Sequence, residues 1–469
     1  MTYLDTKDLI ALAQDFETLD STDSQFYSLD SSTSSKYLQA WYTIMLRQTL
    51  EYAEQAVPYY RERASLSGIS ANSFEQIYDL SKYPVLTRSD FVKHYVSFLS
   101  EKVLADRACS TSGTTGKRLL IYGNSDEENA SASIRQILLA KQMSQSQPLT
   151  MRVIPGNRRT HISVGSPNLR ANTITIGYSP AYASSWFDSA DHLIEVLSDT
   201  YYLGCGPSRI SLLHITPPVV LDMITANLLN RDVDPSIFGI TDIVVSGAFL
   251  SSQTRHLVEN VWKAQIHHSY SCSEIRGEAI SIKNSPDCFS VQKTMLCEIL
   301  DVDTYEPVRP FESGLVVLTS LYPFQQMMPL IRYSMGDIAQ HCGIQNVPFV
   351  TALRPIGRVG ECINLGSRQF IGSRDGFQAV TSFRDIPQIP YPRFELRRDD
   401  SDSSLLLIDV EVMLPEHGRS ETTEEGVALK VLQEIGCYGY SGDSLPTRAI
   451  CRFLPKNSLS LFPKIMPER

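Results

Sequence analysis

From Lys36 onward, Leu38, Trp41, Met45, Thr49, Tyr52 and Ala56 recur at three- and four-residue steps. That spacing lines them up on one face of a long packing helix, which Pro58 closes. The preceding stretch, Ser21 to Ser35, is rich in Ser, Thr and Asp without any period, and reads as a loop after a short first helix. Farther along, Asp126 to Met143 turns Ile134, Ile137, Leu138 and Leu139 to one side as a helix, and Met151 to Ile154 follows as a strand. The same grammar then repeats. A helix around Asp191 to Leu203 leads to the strand Arg209 to Ile215; Pro217-Pro218 opens a helix through Leu229, and Asp242 to Ser246 is again a strand. Strands alternating with helices at this pitch predict a large, layered α/β architecture with parallel or mixed sheets. Near the end, the alternating run Ser404 to Val412 and a helix near Glu424 to Ile435 predict a small, compact α+β unit.

Composition narrows the class without naming a partner. The 469 residues are 42% hydrophobic and 20% charged, enough for two or three cores. A formal net charge of −10 argues against a nucleic-acid groove. The acidic start lacks an apolar segment flanked by basic residues, so neither a signal nor a transit peptide is expected, and no run approaches the length of a membrane span. Nine scattered cysteines fit a reduced, cytoplasmic protein better than a disulfide scaffold. Cys272, Cys288, Cys297, Cys342 and Cys362 lack the paired spacing of a zinc site.

The densest chemistry lies between Cys109 and Tyr122. Ser110, Thr111, Ser112, Gly113, Thr114, Thr115, Gly116 and Lys117 form a turn of hydroxyls and glycines running into the apolar strand Leu119 to Tyr122. Gly113 and Gly116 let successive N–H groups point into one concavity, the hydroxyls add donors, and Lys117 adds positive charge, which together suit a polyphosphate. It is not a Walker A loop: only two residues separate the glycines and Arg118 follows the lysine. The order closely resembles the phosphate loop of the adenylate-forming superfamily, the acyl-CoA synthetases and their relatives. Ala56 to Arg61 and Tyr83 to Phe91 also resemble the lead-in of phenylacetate-CoA ligases, which points to that branch.

Three further motifs arrive in the order this resemblance requires. Ser246-Gly247-Ala248-Phe249 is similar to the branch's Gly-Ala-Glu-Pro run, with Phe249 in place of Glu, so Gly247 and Ala248 are expected against the adenine. Tyr270-Ser271-Cys272-Ser273-Glu274 is similar to Tyr-Gly-x-Ser/Thr-Glu. There the resemblance implies that Tyr270 stacks on adenine, Ser273 meets the α-phosphate and Glu274 holds Mg²⁺. Arg332-Tyr333-Ser334-Met335-Gly336-Asp337 is similar to Arg-Tyr-x-Thr-Gly-Asp, whose Asp, here Asp337, accepts from the ribose hydroxyls.

The departures come next. Gly357-Arg358-Val359-Gly360-Glu361 stands where the family has the Gly-Arg-x-Asp-Asp pivot; Arg358 matches, while Gly360 and Glu361 replace the acidic pair. The resemblance thus divides the chain into an adenylate-forming core, residues 1–359, and a mobile α+β lid, residues 360–469. In the tail, Lys464 falls at the position of the lysine that bonds the reacting carboxylate, with Pro463 in place of the usual Gly. Ser441-Gly442-Asp443-Ser444-Leu445 resembles a carrier-protein serine, but Pro446 and the short remaining chain make it a loop.

From the resemblance, the expected reaction is ATP- and Mg²⁺-dependent activation of a small carboxylic acid as an acyl adenylate, then transfer to a thiol, with coenzyme A the commonest acceptor. A stand-alone acyl carrier protein, an amine or a protein thiol would serve the same first step. A nucleotide-binding homologue without catalysis is the reading from another class. Neither nucleic acid nor membrane is an expected partner.

Overall fold

The computed structural model describes residues 7–11, 13–14, 31–67, 70–110, 119–142, 149–155, 163–164, 173–178, 190–202, 207–283, 285–342, 348–382, 393–402, 404–412, 421–437, 446–455 and 464–465. Two compact units emerge, one from residues 1–141 and 271–372, the other from residues 142–270 and 373–469.

In the first unit the long helix is Ser31–Ala56. It begins five residues before the loop expected to run to Ser35 has ended, and the apolar stripe behaves as its period requires: Leu38, Trp41, Met45, Thr49 and Ala56 are buried, with Tyr52 partly so. Thr49 is accommodated because its hydroxyl donates back to the Met45 carbonyl at 2.7 Å. Pro58 ends the stripe and opens the next helix, Pro58–Ser67, where its missing N–H costs nothing. Strands of this unit lie in the order Leu86–Thr87, Tyr333–Ser334, Ser313–Ser320, Asp337–His341, Ala352–Arg358, Ser285–Val291, Glu278–Ile282, with Met295–Leu300 also on Ser313–Ser320. Pairing is antiparallel except between the first two, where Leu86 faces Tyr333 in parallel. Apart from these strands, Arg107–Ser110 and Leu120–Gly123 form an antiparallel hairpin.

An aromatic chain ties the helices to this sheet. Tyr59 stacks on Phe98 with centroids 4.1 Å apart, Phe98 meets Phe91 at 5.1 Å, and Phe91 meets the wholly buried Tyr333 at 5.7 Å. Beneath it lies a buried ion pair. Arg332 donates to both Glu298 oxygens at 3.0 Å and, through Nη1, to the Ser81 and Tyr83 carbonyls at 3.2 and 2.6 Å. Removing either partner would strand a buried charge, at a cost of about 3–5 kcal/mol.

The second unit carries the predicted alternation. Strands Gln265–Ser271, Asp242–Ser246, Ile210–Ile215, Leu149–Pro155 and Thr173–Tyr178 are neighbours in that order, all parallel. The middle strands carry mainly apolar runs, Ile243-Val244-Val245 and Leu212-Leu213 among them, as a sheet covered on both faces demands, while Gln265–Ser271 is largely polar. Helix Val219–Leu229, entered through the expected proline pair, packs Val220, Leu221, Ile224 and Leu228 into the core with Trp262. The Trp262 indole donates to Thr225 Oγ1 at 2.8 Å, so its one polar atom is satisfied where it is buried. The expected helix near Leu203 is shorter, Ala190–Ser198, because a strand starts at Tyr201. Toward the C-terminus a separate sheet orders Arg448–Pro455, Leu405–Val412, Arg393–Arg398 and Lys464–Ile465, with helices Ser373–Thr381 and Glu421–Cys437.

Candidate active site

The hairpin Arg107–Ser110 and Leu120–Gly123 holds both ends of the hydroxyl and glycine turn, with Cys109 opposite Ile121 and Ser110 opposite Leu120. Thr111, Ser112, Gly113, Thr114, Thr115, Gly116 and Lys117 themselves lie outside the described residues. What anchors the hairpin is a buried carboxylate that sequence reasoning passed over. Glu127, fully buried, accepts through Oε1 from Arg276 Nε at 2.8 Å and from the Asn124 amide at 3.1 Å. Its Oε2 takes the Gln326 and Met327 amides at 2.6 and 2.8 Å. The Arg276 guanidinium reaches it by crossing Gly123, where a Cβ would come within 1.9 Å of Nη2. A side chain at this position would push the Arg276 guanidinium aside.

Arg276 and Glu274 sit on one segment, which the Gln325 amide clamps. Gln325 Nε2 donates to the Glu274 carbonyl at 2.9 Å, and its Oε1 accepts from the Arg276 amide at 2.8 Å. The side chain of Glu274 is thereby fixed in a buried position, while Ser273 beside it is exposed. One carboxylate oxygen, Oε1, receives Arg88 Nη1 at 2.5 Å and the Tyr333 hydroxyl at 3.4 Å. Among the described residues Oε2 takes no hydrogen bond. A single carboxylate with one open oxygen fits a hard cation that keeps most of its waters and bridges phosphates. No group of three or more His, Cys, Asp or Glu side chains that could hold a metal ion occurs among the described residues.

Asp337 opens the strand Asp337–His341 immediately after Gly336, whose φ of +88° makes the turn. It lies directly opposite Arg358 in the sheet, with Arg358 Nε 3.4 Å from Asp337 Oδ1. Glu361 belongs to the same group: burial pushes its carboxyl up, Arg358 draws it down and Asp337 raises it again. The ribose candidate, the matched hinge arginine and the altered hinge acid are therefore one electrostatic cluster, which linear spacing did not announce.

In the second unit, Gly247, Ala248 and Tyr270 come together at the carboxyl ends of two adjacent parallel strands. Ser246 pairs with Ser269, and Gly247 and Tyr270 follow one step beyond. Open α/β sheets bind ligands at such strand ends. Gly247 has φ +84°, and a Cβ there would meet Thr216 Cγ2 at 2.9 Å, so the close approach requires glycine. His268 Nε2 lies 2.9 Å from the Ala248 carbonyl and His267 Nε2 lies 3.0 Å from Asp242 Oδ1, so both histidines are spent on packing this edge. Phe249 turns toward Phe377, centroids 6.3 Å apart. Lys464 sits in the small C-terminal sheet, its backbone paired with Glu395.

No family model matches the chain. In sequence it is similar to the phenylacetate-coenzyme A ligase of Thermus thermophilus, at 21% identity over 298 residues, 62% of this chain and 63% of that protein. The phenylacetate-coenzyme A ligase of Escherichia coli is 34% identical over 95 residues, 20% of this chain and 22% of that protein. The chain thus spans less than two thirds of the length of these curated relatives. Its fold is that of 2-hydroxyisobutyryl-CoA ligase crystallised in the postadenylation state with R3-HIB-AMP, with a TM-score of 0.66 at 16% identity over 94% of this chain and 91% of that one. An open conformation of the same ligase with 2-HIB-AMP and CoA superposes with a TM-score of 0.61 at 15% identity, over 94% and 93%. The resemblance carried by the phosphate loop and the three later motifs is borne out on both counts: the chain is related in sequence to phenylacetate-coenzyme A ligases and has the α/β fold, with its small C-terminal domain, of the adenylate-forming CoA ligases.

Proposed function

We propose that the protein activates a small carboxylic acid with ATP as an acyl adenylate, releasing pyrophosphate, and then passes the acyl group to a thiol, coenzyme A before other acceptors. The observation that carries this reading is Glu274, a buried carboxylate with one oxygen fixed and the other without a hydrogen bond among the described residues, on a segment tied through Arg276 and Glu127 to the phosphate-loop hairpin. The ligase structures that share the fold support it, since they hold an acyl adenylate and, in one, CoA.

In this reading the loop amides, its hydroxyls and Lys117 neutralise the β- and γ-phosphates while the acid's carboxylate oxygen attacks the α-phosphorus. Gly247, Ala248 and Tyr270 form the adenine wall, Asp337 accepts from the ribose, and Ser273 meets the α-phosphate. Mg²⁺, held by Glu274, would supply charge neutralisation between the phosphates. No protein nucleophile is needed, so the chain contributes positioning and preorganised charge. Residues 360–469 act as the lid that brings Lys464 to the reacting carboxylate, with Gly360 as hinge. A Cβ at Gly360 would meet nothing within 4 Å, so the position lies in open space. The closing Phe249 makes the wall beside the adenine apolar.

Carboxylate-dependent pyrophosphate release from ATP, screened over aryl and short acyl acids, tests the first step. Repeating the screen with CoA, a carrier protein and simple amines identifies the acceptor. Nucleotide binding without pyrophosphate release for any acid would leave the non-catalytic homologue as the correct reading.

A further inference from the structure

Arg88 stands 186 residues before Glu274, yet it makes the shortest contact to that carboxylate. Its placement is built with care. The strand Leu86–Thr87 runs parallel to Tyr333–Ser334 with Leu86 opposite Tyr333, and Arg88, two residues on, reaches the same Glu274 oxygen as Tyr333. Thr87 then caps the helix Arg88–Lys93: its hydroxyl accepts from the Asp90 amide at 3.2 Å, while the Asp90 carboxylate accepts from the Thr87 amide at 3.2 Å and hydroxyl at 2.6 Å. A reciprocal cap of this kind fixes the direction in which the first helical side chain leaves the backbone.

The two partners are unequally buried. The Glu274 side chain is 6% exposed and that of Arg88 is 28% exposed. A carboxylate so buried needs a resident partner whenever no other cation is present. Arg88 and Tyr333 both bond Oε1, while Oε2 takes no hydrogen bond among the described residues. A guanidinium beside the same carboxylate also repels a second cation.

We propose that Arg88 is a positioning residue for adenylation: by holding Oε1 of Glu274 it presents Oε2 alone to the cation, and by its charge it keeps that carboxylate from retaining a divalent ion before nucleotide arrives. This rests on the reading of Glu274 as the Mg²⁺ ligand. The metal then enters with the phosphates, whose negative charge offsets the repulsion from Arg88, and the site stays free of bare cations between turnovers.

The test compares wild type, Arg88→Ala, Arg88→Lys, Glu274→Gln and the double variant Arg88→Ala/Glu274→Gln. Binding of Mn²⁺ without nucleotide is read by the loss of the free-ion electron paramagnetic resonance signal, beside the Mg²⁺ and ATP dependence of pyrophosphate release. In Arg88→Ala, Mn²⁺ alone should bind at least fivefold more tightly than in wild type, and this gain should vanish in the double variant. Its kcat at saturating Mg²⁺-ATP should fall tenfold or more with KM for ATP within twofold, and Arg88→Lys should recover most of both. Unchanged Mn²⁺ binding in Arg88→Ala and in Arg88→Lys, with a raised Mg²⁺ requirement in Glu274→Gln, would overturn the role of Arg88 while leaving Glu274 as the ligand. If Glu274→Gln changes neither Mn²⁺ binding nor the Mg²⁺ requirement, the reading of Glu274 fails and the proposal with it. Arg88→Lys keeps a cation against the buried carboxylate, so it supplies the comparison should Arg88→Ala not fold.

Discussion

Arg358 Nε lies 3.4 Å from Asp337 Oδ1, and the two residues face each other across adjacent antiparallel strands. The acid assigned to the ribose is thus held by the arginine that the resemblance places at the hinge. In the proposed reading, lid movement and nucleotide binding share this contact.

Asp337→Asn should raise KM for ATP tenfold or more, on the scale of a lost charged hydrogen bond of about 1.5–3 kcal/mol. Arg358→Ala should alter global stability by less than about 1 kcal/mol, since the pair is partly solvated, yet should also raise KM for ATP. The double variant should fall short of the sum of the two effects on KM. Additive effects would mean that the pair does not act as a unit.

Lys117→Ala should weaken ATP binding or slow adenylation by roughly 10- to 150-fold, from one charge-assisted contact of about 1.5–3 kcal/mol. Isothermal titration with a non-hydrolysable ATP analogue, beside initial rates, reads it. An unchanged ATP dependence would remove the loop from the site.

Lys464→Ala should depress pyrophosphate release by about a hundredfold or more, the scale of losing one preorganised electrostatic donor. Turnover of chemically supplied acyl-AMP with the acceptor should stay near wild type, because the proposed reading places Lys464 at the reacting carboxylate only during adenylation. Equal loss in both half-reactions would shift attention to Lys456.

Two buried groups give opposite pH dependences of stability. Burial pushes the His341 imidazole from 6.5 down to about 4, so between those values the unfolded chain binds a proton that the folded one refuses. Stability from this group is lost as pH falls through that window, by about 3 kcal/mol at the acid end. Burial pushes the Asp222 carboxyl from 3.8 up to about 7, so there the folded chain keeps the proton and stability falls as pH rises. Urea unfolding at pH 4.5, 6 and 8 should show a flatter acid limb for His341→Gln and a gain above pH 7 for Asp222→Asn. A wild-type pH slope in His341→Gln would sink the first assignment.

The Cys288 thiol is drawn down to about 6, chiefly by its hydrogen bond with Cys342 and against the opposing effect of burial. At pH 7 it should be the first of the described cysteines alkylated by iodoacetamide, followed by peptide mass mapping. Cys342→Ala, which removes that donor, should slow it. Equal labelling of Cys288 and the buried Cys451 would refute the lowered pKa.

Much of this protein is written locally. The stripe along Ser31–Ala56, the proline entry to Val219–Leu229, the apolar strands Asp242–Ser246 and Leu405–Val412, and the strand after the phosphate turn were all legible, because hydrogen-bond periodicity and side-chain burial repeat within a few residues. The start of the long helix at Ser31 was not, since Ser and Thr serve loop and helix start alike. Motif order supplied Glu274, Asp337 and Arg358 one by one, as separate residues. It could not supply their partners. Arg88 meets Glu274 across 186 residues, Arg276 meets Glu127 across 149, and Arg332 meets Glu298 across 34. Each pairing depends on strand register and on which side chains share a buried face, and neither leaves a periodic trace in the sequence. The sequence by itself named the residues proposed to carry the chemistry; only the tertiary structure decided which oxygen of Glu274 is held and which takes no hydrogen bond among the described residues, because that follows from where the strands Leu86–Thr87 and Tyr333–Ser334 meet.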